Sequence, residues 1–324
     1  MKTLAHVKIA VLIILFVAAV QADSVQSWKS GETTVTLKNG TLRVSGNGAM
    51  EDYDSLNNPW RYKNEIIRLV IEDGVTNIGK GAFNYCNKLT SVTIPSSVMS
   101  IGDGAFACCT SLTSITIPNG VATIGEETFA YCYGLTSITI PNNVTSIEKY
   151  AFFYCTALTS VVISDGVTSI GENVFFNCTS LTSITLPTSI TLIGDGAFLY
   201  CRGLTSITIP TSVTSIGNWA FRECRALKSI TIQNPIPPER GEYVFGGIDW
   251  ENARIYVPVN SLDAYAKEWW DYFKIIYPYE TGTTKSRNVG IWLALGILSA
   301  LLLSTALFVI IRKSRKKQGK EKRK

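Results

Sequence analysis

Residues 112–134 read Leu-Thr-Ser-Ile-Thr-Ile-Pro-Asn-Gly-Val-Ala-Thr-Ile-Gly-Glu-Glu-Thr-Phe-Ala-Tyr-Cys-Tyr-Gly. Apolar side chains stand at Leu112, Ile115, Ile117, Val121, Ile124, Phe129 and Cys132. The spacing Leu-x-x-Ile-x-Ile predicts a short strand whose inward residues alternate with Ser and Thr. Pro118 ends it, because proline cannot donate the next ladder hydrogen bond. The run Thr128-Phe129-Ala130-Tyr131-Cys132 reads as a short helix or 3₁₀ turn on the far side. Such a unit is too small to bury its own apolar face.

The unit recurs with a period of 23. Phe83, Phe106, Phe129, Phe152, Phe175, Phe198 and Phe221 form one column. Three residues after each stands a cysteine: Cys86, Cys109, Cys132, Cys155, Cys178, Cys201 and Cys224. A leucine column runs from Leu89 to Leu227 at the same spacing. Glycine follows the isoleucine at Gly79, Gly102, Gly125, Gly171, Gly194 and Gly217, and this regularity suggests a backbone angle that other residues resist. Glu148 replaces it in one coil. Stacked coils would bury a continuous core and turn identical residues into ladders. The predicted fold is an α/β repeat solenoid. It has a parallel β-sheet on one face, short helical or 3₁₀ turns on the other, and a single transmembrane helix beyond it.

These residues resemble the BspA-like, or Treponema-type, leucine-rich repeat, whose consensus is Leu-x-x-Ile-x-Ile-Pro-x-x-Val-x-x-Ile-Gly-x-x-Ala-Phe-x-x-Cys. The resemblance runs from about Ile66 to Ala226, seven coils. An eighth, to about Trp250, carries Pro235, Pro237 and Pro238 and is irregular. At the front, Thr33–Leu37 and Thr41–Ser45 alternate around Asn39-Gly40, a hairpin signal. Ser45–Met50 and Pro59-Trp60 then lead into the first coil. At the back, Ala253–Pro258 reads as a last strand and Ser261–Trp270 as a helix with Ser261 as its N-cap. Trp269, Trp270 and Phe273 would cover the open apolar end, or alternatively form a carbohydrate-binding platform.

The chain has 324 residues, formal net charge +5 and one histidine, His6. Lys2 and Lys8 precede an apolar run, Ile9–Val20, and Val20-Gln21-Ala22 offers a cleavage site, the pattern of a secretory signal. An uncleaved anchor is the alternative. Val289–Ile311 is 23 residues without charge, enough for a hydrocarbon core of about 30 Å. A buried core helix is the alternative here. The tail Arg312–Lys324 holds nine basic residues and one acidic, which places it on the cytoplasmic side. Residues 23–311 hold 19 basic and 24 acidic residues, so the exported part carries −5. Nucleic-acid binding therefore has no electrostatic motive. The expected organisation is a signal peptide (1–22), a hairpin cap (23–65), the solenoid (66–250), a C-terminal cap (251–278), a polar stalk (279–288), the transmembrane helix (289–311) and the tail (312–324). Localisation follows as the cell membrane, single-pass, with the N-terminal domain outside.

Without His6 the exported chain contains no imidazole, which excludes Ser-His-Asp and Cys-His catalysis and His-ligated metals. No phosphate-cradling glycine loop occurs. No metal site or cofactor is expected. Stacked cysteines would lie at about the 4.7–4.9 Å strand spacing with parallel side chains, whereas a disulfide needs Cβ atoms about 3.5–4.5 Å apart. A buried, reduced thiol ladder is the expectation, with Cys108 standing apart from it. Carboxylates at Asp103, Glu126, Glu127, Glu172 and Asp195 follow the Ile-Gly turns and read as solvated rather than as acid–base pairs. Sequons occur at Asn39, Asn143 and Asn177.

Surfaces remain. Ser114, Thr116, Ser137, Thr139, Ser183, Thr185, Ser206 and Thr208 would line the sheet as a hydroxyl face, a candidate ligand surface. Threonine also simply suits exposed strands, and a regular threonine array is the kind of face that binds ice. Tyr131, Phe153, Tyr154, Phe176, Leu199 and Tyr200 would form an aromatic stripe on the turn face, a candidate protein-binding surface or else packing between coils. The family resemblance implies adhesion to extracellular-matrix or host surface proteins, or to other cells, without catalysis. A carbohydrate-binding or structural cell-envelope protein and a surface receptor are the alternatives. No Leu-Pro-x-Thr-Gly sorting signal precedes the apolar span.

Overall fold

The structure is a computed structural model that describes residues 25–54, 57–269 and 276–279. The signal peptide, Trp270, Phe273, nearly all of the stalk, the apolar span Val289–Ile311 and the basic tail lie outside the described residues. Among the described residues, no helix is long and apolar enough to cross a membrane. The chain divides into two compact units, residues 1–277 and 278–324, and the solenoid belongs to the first.

Three backbone ladders hold the coils together. The first is the expected parallel sheet, in which Ser137 faces Ser160 and Ser160 faces Ser183, one period apart. The second runs through two-residue strands just before the recurring glycine. Its six strands are Thr123–Ile124, Ser146–Ile147, Ser169–Ile170, Leu192–Ile193, Ser215–Ile216 and Glu239–Arg240. The third lies on the turn face, where Phe83 N–H donates to the Ala105 carbonyl at 2.8 Å and Phe152 N–H to the Val174 carbonyl at 2.9 Å. Backbone groups that a coil cannot pair internally thus find partners in a neighbouring coil.

Four expectations need correction. The turn face carries no helix among the described residues of the repeats. Its residues form successive tight turns, such as Ala82 N–H to Gly79 carbonyl and Cys86 N–H to Phe83 carbonyl. The reason is left-handed backbone two residues either side of each Phe. Tyr85, Cys108, Tyr131, Tyr154, Asn177, Tyr200 and Glu223 have φ of 58 to 62°. Glu127, Tyr150, Asn173, Trp219 and Tyr243 have φ of 50 to 60° on the other side. A left-handed residue interrupts a right-handed helix and costs about 1–2 kcal/mol when it is not glycine. The N–H groups it redirects bond across to the next coil, as Tyr131 N–H does to the Phe153 carbonyl at 2.7 Å.

The front sheet is also not continuous. It forms one set of strands up to Ser91–Thr93, a second over Ser137–Thr185, and a third from Ser206 onward. Ser114 and Thr116 lie in no strand. Strands of at most four residues closed by proline stop pairing when one or two rungs are lost. The coils stay tied there by Thr136, whose N–H and Oγ1 both donate to the Thr113 carbonyl at 3.0 and 3.1 Å.

The recurring glycines are explained by contact, since none of the six has positive φ. A Cβ on Gly79 would lie 1.9 Å from the Glu51 carbonyl oxygen, and one on Gly171 would lie 2.8 Å from Lys149 N. Backbone of the preceding coil occupies the space at five of the six, and the Asp103 carboxylate at Gly125.

The core is a column of rings. Phe106, Phe129, Phe152 and Phe175 stack with centroids 5.4 to 5.7 Å apart and planes within 11°. Trp60 begins the column 6.1 Å from Phe83, and Trp269 closes it 6.1 Å from Phe245. Trp60 stands 23 residues before Phe83, so the sequence ahead of Ile66 already contains a divergent coil. Its indole N–H donates to the Ala82 carbonyl at 2.7 Å. Ahead of it, Gln26–Ser30, Thr33–Lys38 and Thr41–Gly46 pair antiparallel, and the last continues in parallel into Arg68–Ile71. At the far end, Leu262–Glu268 is a short helix whose N-cap, Ser261, makes no side-chain capping bond. A 3₁₀ turn over Val259–Ser261 leads into it instead.

Phe152→Ala removes a ring that stacks on both neighbours. It is expected to lower stability by about 3–5 kcal/mol, read as a fall in the urea midpoint at constant slope. A loss below about 1 kcal/mol would show that the ring column is not the core.

Candidate functional site

The cysteine column sits directly behind the ring column. Cys109, Cys132, Cys155, Cys178, Cys201 and Cys224 each donate the thiol hydrogen to the phenylalanine carbonyl one coil back, at 3.1 to 3.3 Å. This role was not legible in the spacing. The donor and acceptor are 26 residues apart, out of step with the repeat. All eight cysteines are free, and the seven of the ladder are buried. Burial pushes the Cys86 and Cys155 thiols up to about 12 and raises the other ladder thiols too. They are structural donors without nucleophilic character.

The hydroxyl face is exposed at Ser114, Thr116, Ser137, Thr139, Ser183, Thr185, Ser206 and Thr208. Four of the threonines one position after the ladder leucines, Thr90, Thr136, Thr159 and Thr205, are engaged elsewhere. Thr159 and Thr205, for example, donate to the carbonyls of Thr136 and Thr182 at 3.0 and 3.2 Å. The free hydroxyls therefore form a narrow band without charge.

The aromatic residues are brought together on the turn face. Tyr131 lies 5.4 Å from Phe153 and 5.6 Å from Tyr154, Phe153 stacks on Phe176 at 4.8 Å, and Phe176 meets Tyr200 at 5.5 Å. Leu199 lies beside them in sequence and is half-buried, as are all five rings. Packing between coils and an outward face are both present in the same side chains. Two further rings join that the sequence reading missed. Tyr150 meets Phe153 edge-on at 5.3 Å, and Tyr133 lies 6.2 Å from Tyr131. Their columns, two before Phe and one after Cys, were readable from the repeat, but not their contact.

At the N-terminal end of the stripe lies a hollow of about 320 Å³, lined by Tyr85, Asp103, Cys108, Glu126, Glu127 and Tyr131 among others. Cys108 is partly exposed there. Burial and nearby Glu127 push its thiol up, while Tyr85 and Arg61 pull it back, and the net shift is upward. Burial, then Tyr133, Cys108 and Glu127, likewise raises the Tyr131 phenol.

The expected carboxylates are dispersed into separate tasks. Asp103 and Asp195 accept backbone N–H groups of Glu126 and Asn218 at 2.9 and 2.7 Å. Glu126 pairs with Lys149 at 3.1 Å. Glu172 accepts from the Tyr150 hydroxyl at 3.3 Å and from Asn173 at 3.0 Å. Among the described residues, no two of these carboxylate groups are hydrogen-bonded to each other. Among the described residues, no group of three or more His, Cys, Asp or Glu could hold a metal ion.

A coil with Leu-x-x-Ile-x-Ile strands, an Ile-Gly bend and a Phe-x-x-Cys turn matches a family model described as the BspA type leucine rich repeat region, over residues 57–179 and 145–268. This chain belongs to the BspA-type leucine-rich repeat family. The match begins ahead of Ile66 and includes Trp60, in keeping with the divergent coil. A leucine-rich repeat protein from Eubacterium ventriosum is 25% identical, with 72% of this chain and 78% of that one covered, at a TM-score of 0.44. The Treponema pallidum leucine-rich repeat protein is 23% identical, with 67% and 83% covered, at 0.43. A leucine-rich cell surface protein from Faecalibacterium prausnitzii is 20% identical, with 81% and 96% covered, at 0.35. No protein of curated function matches the chain.

For this BspA-type solenoid, a water-soluble disulfide reagent is expected to label Cys108 alone in the folded state and the ladder thiols only after denaturation. Fast labelling of several thiols without denaturant would contradict the buried ladder. The ladder also fixes a pH dependence. A buried thiol stays protonated where its unfolded counterpart, near 9, has ionised. The unfolded state then binds fewer protons, so stability is full below pH 9 and falls as pH rises toward 12, by up to ~1.4 kcal/mol per pH unit per thiol. Urea midpoints at pH 7.5 and 10 will show this, and Cys155→Ser should reduce the slope.

Proposed function

We propose that this chain is a non-enzymatic cell-surface binding protein, an adhesin that engages extracellular-matrix or host surface proteins, or another cell. The observation that carries the reading is the half-buried aromatic stripe across adjacent coils, Tyr131, Phe153, Tyr154, Phe176 and Tyr200. Half-buried rings held by stacking offer apolar area at little entropic cost, the property of binding hot spots. Family membership supports a protein-binding scaffold. The signal-like start and the apolar span with its basic flank support export and anchoring. The partner surface would be wide and contacted through many small terms. The uncharged hydroxyl band favours a second reading, glycan binding, since hydroxyl rows complement sugar hydroxyls.

The full-length chain, displayed on cells, should capture at least one protein from a matrix and host-surface panel. Phe153→Ser, Phe176→Ser and Leu199→Ser together should weaken that capture by about tenfold or more, a loss of about 1.4 kcal/mol, in a variant whose circular dichroism is unchanged. Unaltered capture would dismiss the stripe. Binding to a glycan array with no protein captured would replace the adhesin reading with the carbohydrate one.

A further inference from the structure

The aromatic columns on the turn face already bind guanidinium within this chain. Tyr62 and Tyr85 occupy equivalent positions, 23 residues apart, both with φ of 58°. Arg61 lies over both rings, 4.4 and 4.2 Å from their centroids. At the other end of the same column, Arg202 lies over Tyr200 at 5.4 Å. Between these ends stand Tyr131 and Tyr154, with Phe153 and Phe176 beside them. Among the described residues, no such contact covers these four rings.

Charge points the same way. Residues 101–200 contain seven acidic residues and a single basic one, Lys149. That lysine is already paired with Glu126. Two of the remaining carboxylates lie at the stripe itself. Exposed Glu127 shares the hollow with Tyr131, and exposed Glu172 is bonded to Tyr150, which meets Phe153 edge-on. Aromatic faces next to carboxylates that make no direct ion pair among the described residues attract a cation twice over, through the ring quadrupole and through direct charge.

We propose that the middle of the turn face docks a basic protein segment, whose arginine or lysine side chains lie over Tyr131, Tyr154, Phe153 and Phe176 with Glu127 and Glu172 as counter-charges. The proposal rests on the protein-binding reading above and names the chemistry of its partner. Arg61 and Arg202 are the internal version of the contact, one at each end. The partner supplies the cations that the central coils lack. Arginine suits the site best, because its planar guanidinium can stack on a ring while its edge donates to a carboxylate.

The test uses the full-length chain in nanodiscs of neutral lipid and a fluorescein-labelled peptide of six Arg-Ser repeats. A citrulline-Ser peptide of equal length keeps the shape and removes the charge. The arginine peptide should bind, and more weakly as salt rises, while the citrulline peptide binds at least about tenfold more weakly. Tyr131→Asn with Tyr154→Asn places in the column the residue that Asn177 already supplies at the same φ. It should weaken binding at least about fivefold with no change in charge. The variant is made in bacteria, because the second change writes an Asn-x-Thr sequon. Glu172→Gln should weaken binding, whereas Asp165→Asn, an equal charge change at the corner after the front strand, should alter it less than about twofold. Equal losses from those two variants, equal binding of the two peptides, or an unaffected tyrosine pair would each overturn the proposal. A panel protein that binds wild type and tyrosine variant alike would leave the adhesin reading standing and end this one. Peptide binding with no protein captured would do the reverse.

Discussion

Everything in this fold depends on backbone groups finding their partners one coil away. A 23-residue coil is too short to satisfy its own N–H and carbonyl groups, and it makes no internal sheet. It resolves this by sending three ladders outward, on the front strands, on the short strands before the glycine bend, and on the turn face. The chain then has to tolerate left-handed backbone at tyrosines, a tryptophan and glutamates, where glycine would be the relaxed choice. From Tyr85 to Glu223 that strain is held by the cross-coil bond the redirected N–H makes, so conformation and stacking cannot be separated.

The ring column and the thiol column follow from the same constraint. Coils held at strand spacing bring each phenylalanine into contact with the next, and the rings stack rather than interlock. Their carbonyls turn toward the adjacent coil, where a small side chain with one donor is required. Cysteine meets that need, being apolar enough for the core and able to donate its hydrogen. Burial keeps the sulfur protonated, so the residue type that usually signals redox chemistry or metal binding is inert here. The exception, Cys108, lies outside the column because it occupies the left-handed position two after Phe106, where tyrosine stands in four of the seven coils.

The surfaces are by-products of this geometry with different chemical content. On the front, four threonines one step after leucine use their hydroxyls to reinforce the ladder, leaving the next two outward positions exposed. On the turn face, the left-handed residues project from the coil, and their rings meet those of the coil before and after. Each ring of the stripe packs against at least one other. The acidic middle and the arginine-covered ends give that stripe a polarity that neither composition nor repeat consensus displays.

The 23-residue period alone determined the coil, its inward residues, the reduced state expected of the cysteines and the solenoid class, because identical residues at identical spacing must form columns. It also contained Trp60 and Tyr62, one period before Phe83 and Tyr85, although their divergent surroundings hid them. Tertiary structure decided the rest. The absence of turn-face helices, the reason for the recurring glycines, the thiol's acceptor and the joining of Tyr150 and Tyr133 to the stripe all arise from contacts between coils. Those contacts link residues 22 or 26 apart as well as 23. An interaction out of step with the repeat leaves no column in the sequence, and only stacked coils reveal which groups it joins.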